Sequence, residues 1–301
     1  MDRRKFLNTS AKGAIALGAG LVPHISLAAT SPDVALVKGA PGAAARAAVE
    51  MIGGMGSVVK KGNRVVIKPN MSFASTPNVG ANTHPLVVQA IAAMCWEAGA
   101  SSVLILDHSL APGPICLERS GVKAAAATVR DDMVYMVNDS DHYSDVKIKD
   151  GKTLKETEIV KSVLRADVLI AAPTAKSHSG AGVSLSLKGM MGLIYDRGSL
   201  HRKGLDSCII DLCTVLRADL SVIDATHVLS TNGPRGPGKV LDENKVIASR
   251  DMVAADAVAV AEFTWYGKKF QPRQVAHIRH AHERGLGRMD IENLRVERLV
   301  L

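Results

Sequence analysis

Three lysines and a histidine carry most of the chemistry that this sequence offers. Two of the lysines share one stretch with the histidine, PTAKSHSGAGVSLSLKGMMG, from Pro173 to Gly192. Lys176, Ser177 and His178 fall in a glycine-dotted segment, and Lys188 is the only charge between residues 183 and 195. An ammonium in apolar surroundings costs several kcal/mol unless a counter-charge or a ligand meets it. Lys176 and Lys188 are therefore expected to hold an anion, joined by Lys68 and Arg235. Imidazole titrates near neutral pH, so His178, with His201 as the alternate, is the candidate acid–base group beside Lys176. Asn70 is placed to orient the ligand. Asp107 and Asp224 are candidates to polarise a histidine or bind a cation. Asp256 is the only charge in residues 252–261. As a ligand-site carboxylate it needs a base, with Lys188, Lys176 or His178 the candidates. Arg235 lies in NGPRGPGK (232–239), where backbone N–H groups and a guanidinium suit an anion. That loop lacks the spacing of a P-loop or a dinucleotide fingerprint.

The elements that must position these groups are legible as alternating patterns. Strand-like apolar runs occur at 34–37, 64–68, 102–107, 133–138, 167–172, 220–224, 245–249 and 294–299. Helix-like segments lie near 41–55, 85–98, 183–192, 204–217, 251–265 and 271–284. Continuous Val/Ile/Leu strands that alternate with helices predict an α/β fold, with a largely parallel or mixed central sheet and helices on both faces. Four strands run into polar groups: Lys68-Pro69-Asn70, Asp107-His108-Ser109, the Pro173–His178 segment, and Asp224 followed by His227. If the strands are parallel, Lys68, Asp107, His178 and Asp224 share one rim, where open α/β sheets bind ligands. Helix N-terminal amides near Val183 would add to the pull on an anion. The polar segment 140–156 reads as an antiparallel hairpin or insertion within one domain spanning 29–301.

The start of the chain resembles a twin-arginine export signal. Arg3-Arg4 precede Phe6-Leu7, a weakly apolar Gly/Ala run covers 13–22, and Ser26-Leu27-Ala28 offers a cleavage site. Asp2 stands where such signals usually have Ser or Thr. Removing 1–28 takes away four basic residues and one acidic residue, lowering the net charge from +8 to +5. The expected location is exported and periplasmic, and ten apolar residues cannot span a bilayer of ~30 Å. No later segment in the sequence is long enough to do so. Basic residues are scattered and aromatics are only 3%, which argues against nucleic-acid binding. The expected partner is a small anionic molecule or a redox partner. Cys95, Cys116, Cys208 and Cys213 form no Cys-x-x-Cys pair. They read as core thiols or disulfides more readily than as a metal site.

Six stretches together resemble the bacterial and archaeal family called domain of unknown function 362. They are VVIKPN, THPLVVQAIAAMCWEAGASSVLILDHS, DVLIAAPTAKSHSGAGVSLSLKGMMG, LHRKGLDSCIIDL, LSVIDATHVLSTNGPRGPG and ASRDMVAADAVAVAE. The family's recurring patterns fall here on Lys68-Pro69-Asn70, Lys176-Ser177-His178, Ser186-Leu187-Lys188 and Gly233-Pro234-Arg235-Gly236. The family usually has Asn after Ser-Leu-Lys, whereas Gly189 stands here. Some relatives carry an appended ferredoxin-like iron–sulfur module, which implies a redox setting, although these 301 residues contain no cysteine pattern for one.

Two functions remain from the sequence. One is an α/β enzyme or binding protein for an anionic small molecule. The other is a metal- or iron–sulfur-dependent redox protein in which His178, His201, His227, Asp107 and Asp224 act as ligands. A visible spectrum with metal analysis separates the two. No nucleophile elbow is present, which argues against serine hydrolysis.

Overall fold

In the computed structural model, residues 31–301 are described. The export-signal reading of 1–28 therefore lies outside the described residues. Fourteen strands run in chain order: β1 (Val34–Lys38), β2 (Arg64–Pro69), β3 (Ser102–Asp107), β4 (Val134–Met136), β5 (Tyr143–Lys147), β6 (Glu156–Val160), β7 (Val168–Ala172), β8 (Thr174–His178), β9 (Gly182–Ser184), β10 (Leu220–Leu229), β11 (Val240–Ser249), β12 (Thr264–Trp265), β13 (Lys268–Lys269) and β14 (Val296–Val300). The helices are α1 (Pro41–Met51), α2 (Pro85–Glu97), α3 (Gly113–Ser120), α4 (Val122–Ala127), α5 (Lys161–Leu164), α6 (Ser186–Gly189), α7 (Arg197–Lys203), α8 (Leu205–Cys213), α9 (Met252–Glu262) and α10 (Ala276–Glu283).

The main sheet has the order β14-β1-β11-β10-β7-β2-β3-β4. Strands β2, β3, β4, β7 and β10 are mutually parallel along this path, and β11 runs antiparallel to both β10 and β1. The sheet is thus mixed, with helices on both faces, as the alternating apolar runs predict.

Successive side chains of a strand point to opposite faces. Here both faces find apolar cover. Val66, Leu106, Leu169, Ala171 and Ile223 join one core with residues of α8, α9 and α10. Val65, Ile67, Val103, Ile105, Ile170 and Val222 join a second core with residues of α1, α2 and α4. This two-sided burial explains why the strands carry no polar alternation. Capping sets several helix starts. Pro41 and Pro85 occupy first-turn positions of α1 and α2, and the Asp251 carboxylate accepts from the amides of Val253 and Ala254 at the start of α9.

One region departs from the sequence reading. The span 183–192 reads as a helix, yet only Ser186–Gly189 is α-helical, with a 3₁₀ turn at Met190–Leu193. The preceding loop is instead strand β8, which lies parallel to the upper half of β10 and antiparallel to β9. β10 is ten residues long, so it continues beyond the end of β7. That overhang offers β8 free backbone partners. Strands β5 and β6 form a separate antiparallel pair. All four cysteines are buried and free. No helix among the described residues is long and apolar enough to cross a membrane.

Candidate functional site

The C-terminal ends of β2, β3 and β7 share one rim because these strands are parallel. Lys68 is level with Ala171 near the end of β7, and Asp107 ends β3. Asp224 pairs with Thr174, just beyond β7, and His178 closes β8. Above this rim lies a cavity of about 430 Å³. Lys68, Asn70, Lys176, His178, Lys188 and His201 all line it, as do Arg197, Phe73 and Met191.

β8 presents its residues in strand alternation. Lys176 and His178 meet the cavity, while the Ser177 hydroxyl between them accepts from the Gly233 amide at 2.9 Å. This holds the 232–239 loop against β8. A Cβ on Gly233 would lie 1.9 Å from the Ser177 carbonyl oxygen, so the approach admits only glycine.

The charges do not balance. Lys68, Lys176, Lys188 and Arg197 converge on the cavity, and among the described residues no acidic side chain lines it. Asp107 sits behind and pairs with Lys68 at 3.2 Å, both side chains being almost fully buried. Asp107 also accepts from the Met71 amide, the Ser72 hydroxyl and the His108 amide. It is a fully engaged counter-ion, which corrects the expectation that it polarises a histidine or binds a cation. Lys176 donates to the Ala81 carbonyl oxygen, and its ammonium stands 5.0 Å from the centre of the Phe73 ring. Lys188 has no hydrogen bond or ion pair among the described residues. Burial, aided by the Lys68 charge, pushes the Lys176 pKa down to about 7. Burial, with Lys68 and Arg197 nearby, lowers Lys188 to about 8. An anion in the cavity would offset these repulsions.

His178 has a fixed tautomer. Its Nδ1 accepts from the amides of Gly180 and Ala181 at 3.1 and 3.2 Å. The proton must then sit on Nε2, which becomes a donor. Burial, together with the Lys188 charge, pushes the pKa of this ring down to about 3. His178 is therefore a neutral imidazole across the physiological range. This corrects the expectation of a group titrating near neutrality. A neutral ring of this kind polarises an oxygen by donating to it. His201, on α7, stacks on it with ring centres 6.1 Å apart. The Asn70 side-chain Oδ1 accepts from the Thr174 amide, so Asn70 anchors the start of β8 as well as facing the cavity.

Three of the expected ligand residues stand elsewhere. Asp256 has no basic partner among the described residues. It accepts from the amides of Ser186 and Leu187 at 2.8 and 2.9 Å, and burial raises its carboxyl to about 7. The start of α6 satisfies the carboxylate that was expected to need a lysine. The same bonds occupy amides that were expected to attract an anion. Asp224 accepts from the His84 amide and from the amide and hydroxyl of Thr226, tying the start of α2 to the sheet. Arg235 stands 5.8 Å from the Phe73 ring centre and does not line the cavity.

The proposed metal-ligand set is dispersed. His227 pairs with Asp242 at 2.9 Å. Among the described residues no three His, Cys, Asp or Glu side chains group as a metal site requires. Sequence reasoning missed Arg197, because YDRGSLHRK reads as an ordinary charged surface turn. The available signal was its place between the Lys188 helix and His201.

A family described as domain of unknown function 362 matches residues 65–261. A thylakoid-associated protein of Synechocystis sp. is 25% identical over 224 residues, covering 72% of this chain and 68% of that protein. Among solved structures, the lactate racemase apoprotein from Thermoanaerobacterium thermosaccharolyticum aligns with TM-score 0.44 and 16% identity, over 74% of this chain and 55% of that one. A structural-genomics protein from Thermotoga maritima aligns with TM-score 0.45 and 12% identity, over 74% and 59%. The chain spans less than two thirds of either solved structure.

Proposed function

We propose that this chain, which belongs to the family described as domain of unknown function 362, binds a small anion in the cavity at the C-terminal rim of its sheet. The observation that carries the reading is the charge imbalance. Four cationic side chains meet there, and among the described residues the one carboxylate ion-paired with any of them, Asp107, is paired with Lys68. Leaving such charges unmet costs several kcal/mol, so the arrangement suits a ligand that supplies the missing negative charge. Arg197 and Lys176 suit the two oxygens of a carboxylate or of a phosphate edge. Phe73 and Met191 suit an apolar remainder.

The same groups support proton chemistry on the bound molecule. Lys176 and Lys188 are partly neutral amines near pH 8, which suits a general base. His178 donates to a neutral oxygen. Location belongs to the same proposal: Arg3-Arg4 and the following apolar run act as a twin-arginine signal, placing the protein in the periplasm.

Thermal unfolding in a panel of small anions tests the binding reading. Carboxylates or phosphate should raise the Tm of the wild-type protein, and the increase should shrink in Lys188→Met. Equal shifts in both proteins, or none in either, would remove the reading.

A further inference from the structure

Two of the cavity groups, Lys188 and His178, suit more than the holding of an anion. Lys68 is held by Asp107 and by the Pro69 carbonyl oxygen, and Lys176 is held by the Ala81 carbonyl oxygen. Lys188 has no hydrogen bond or ion pair among the described residues, although it lines the same cavity. His178 presents a neutral Nε2–H, fixed by the two amides on Nδ1. An ammonium or guanidinium matches an anionic oxygen, whereas a neutral imidazole N–H matches a carbonyl oxygen. The site thus combines cations for a carboxylate, a neutral donor for a carbonyl, and an unengaged amine.

We propose that the cavity takes a 2-oxo acid and that the Lys188 amine forms an imine with its keto carbon. This rests on the anion-binding reading and narrows it to a ligand class. The carboxylate meets the Arg197 guanidinium, the keto oxygen accepts from His178 Nε2, and the remainder lies along Phe73 and Met191. The nitrogen lone pair of Lys188 attacks the keto carbon, a C–N bond forms, and the carbonyl π pair moves to oxygen. That oxygen leaves as water, carrying away both amine hydrogens, and a C=N bond remains. Nothing is oxidised or reduced. Burial and the neighbouring cations favour the free amine at working pH, as in enzymes whose lysine is activated by an adjacent charge.

The test is borohydride trapping on the full chain. The protein is incubated with pyruvate or with 2-oxoisovalerate, reduced with sodium borohydride, and mapped by peptide mass spectrometry. The expected product is a secondary amine at Lys188 that adds the mass of the acid less one oxygen. Lys188→Arg keeps the positive charge and should lose the adduct while still gaining thermal stability from either acid. If the acids stabilise the wild-type protein yet label nothing, or label a different lysine, the imine is overturned and the anion reading stands. If neither acid stabilises the protein while other small anions do, the 2-oxo acid class is overturned. If no anion of any kind stabilises it, the anion reading and this inference fall together.

Discussion

Lys68 and Lys188 carry the same charge in one cavity, yet removing them should have opposite consequences. Lys68→Met leaves Asp107 buried without its cation, and breaking a buried pair from one side costs about 3–5 kcal/mol. Lys188→Met removes an unpartnered ammonium and should leave stability unchanged or raised. It should weaken anion binding roughly 10–100-fold, the value of a lost charge-assisted hydrogen bond. Urea denaturation and a binding titration separate the two effects. The lysines also set a pH dependence. Lys176 and Lys188 keep their protons in the fold only up to about pH 7 and 8, whereas an unfolded lysine holds its proton to about 10.4. Between these limits the unfolded chain binds more protons, so stability should rise as pH increases from about 7 towards 10. Asp256 works in the other direction. Its carboxyl is raised to about 7 against about 3.9 when unfolded, so its contribution falls as pH rises through that window. The urea midpoint measured against pH should show the upper limb flatten in a Lys176→Met/Lys188→Met double variant. Anion affinity should run opposite to that limb, weakening by roughly tenfold or more between pH 6 and 9 as the amines lose their charge.

The elements hold these residues through close contacts that tolerate little change. Gly192 follows α6 in the 3₁₀ turn, and a Cβ there would stand 2.4 Å from Lys68 Cε and 2.5 Å from Asp107 Oδ1. Gly192→Ala should push the pair apart and destabilise the fold by about 1–3 kcal/mol, with a matching loss of anion binding in a calorimetric titration. Asp256→Ala should leave the Ser186 and Leu187 amides without their acceptor. It should cost about 1–3 kcal/mol and loosen the short helix that carries Lys188. The main strands were legible in the sequence because both faces of the sheet are covered, so each strand reads as an apolar run. β8 was not, because Thr174-Ala175-Lys176-Ser177-His178 is polar and its parallel partner is the overhang of β10 beyond the end of β7. The carboxylates misled for one reason. Asp224 and Asp256 are satisfied by backbone amides, and amides are invisible to an argument built on side-chain charge. Helices α3 and α4 went unread, since GPICLERS and VKAAAA are only eight and six residues long, too short to display a periodic face.

At the scale of the whole molecule, the order of strands decides where chemistry can occur. β7 and β2 lie near the middle of the sheet, buried on both faces, so the loops after them open over the centre of the rim. Lys68 comes from a segment of sequence far from the stretch that carries Lys176 and Lys188, and they meet because β2 and β7 lie side by side and parallel. The amino-terminal segment is a separate matter from this site. Arg3→Lys combined with Arg4→Lys should stop export, seen by cell fractionation, while anion binding by the purified protein stays unchanged. Whether the rim cavity is an anion site built around Lys188 is decided by anomalous diffraction from crystals grown with selenate. A selenium peak should appear in the cavity where the selenate oxygens reach the Lys188 Nζ and the Arg197 guanidinium, and it should be lost in Lys188→Met crystals. Selenate bound only at other surfaces, with the cavity holding no anion, would contradict the anion reading.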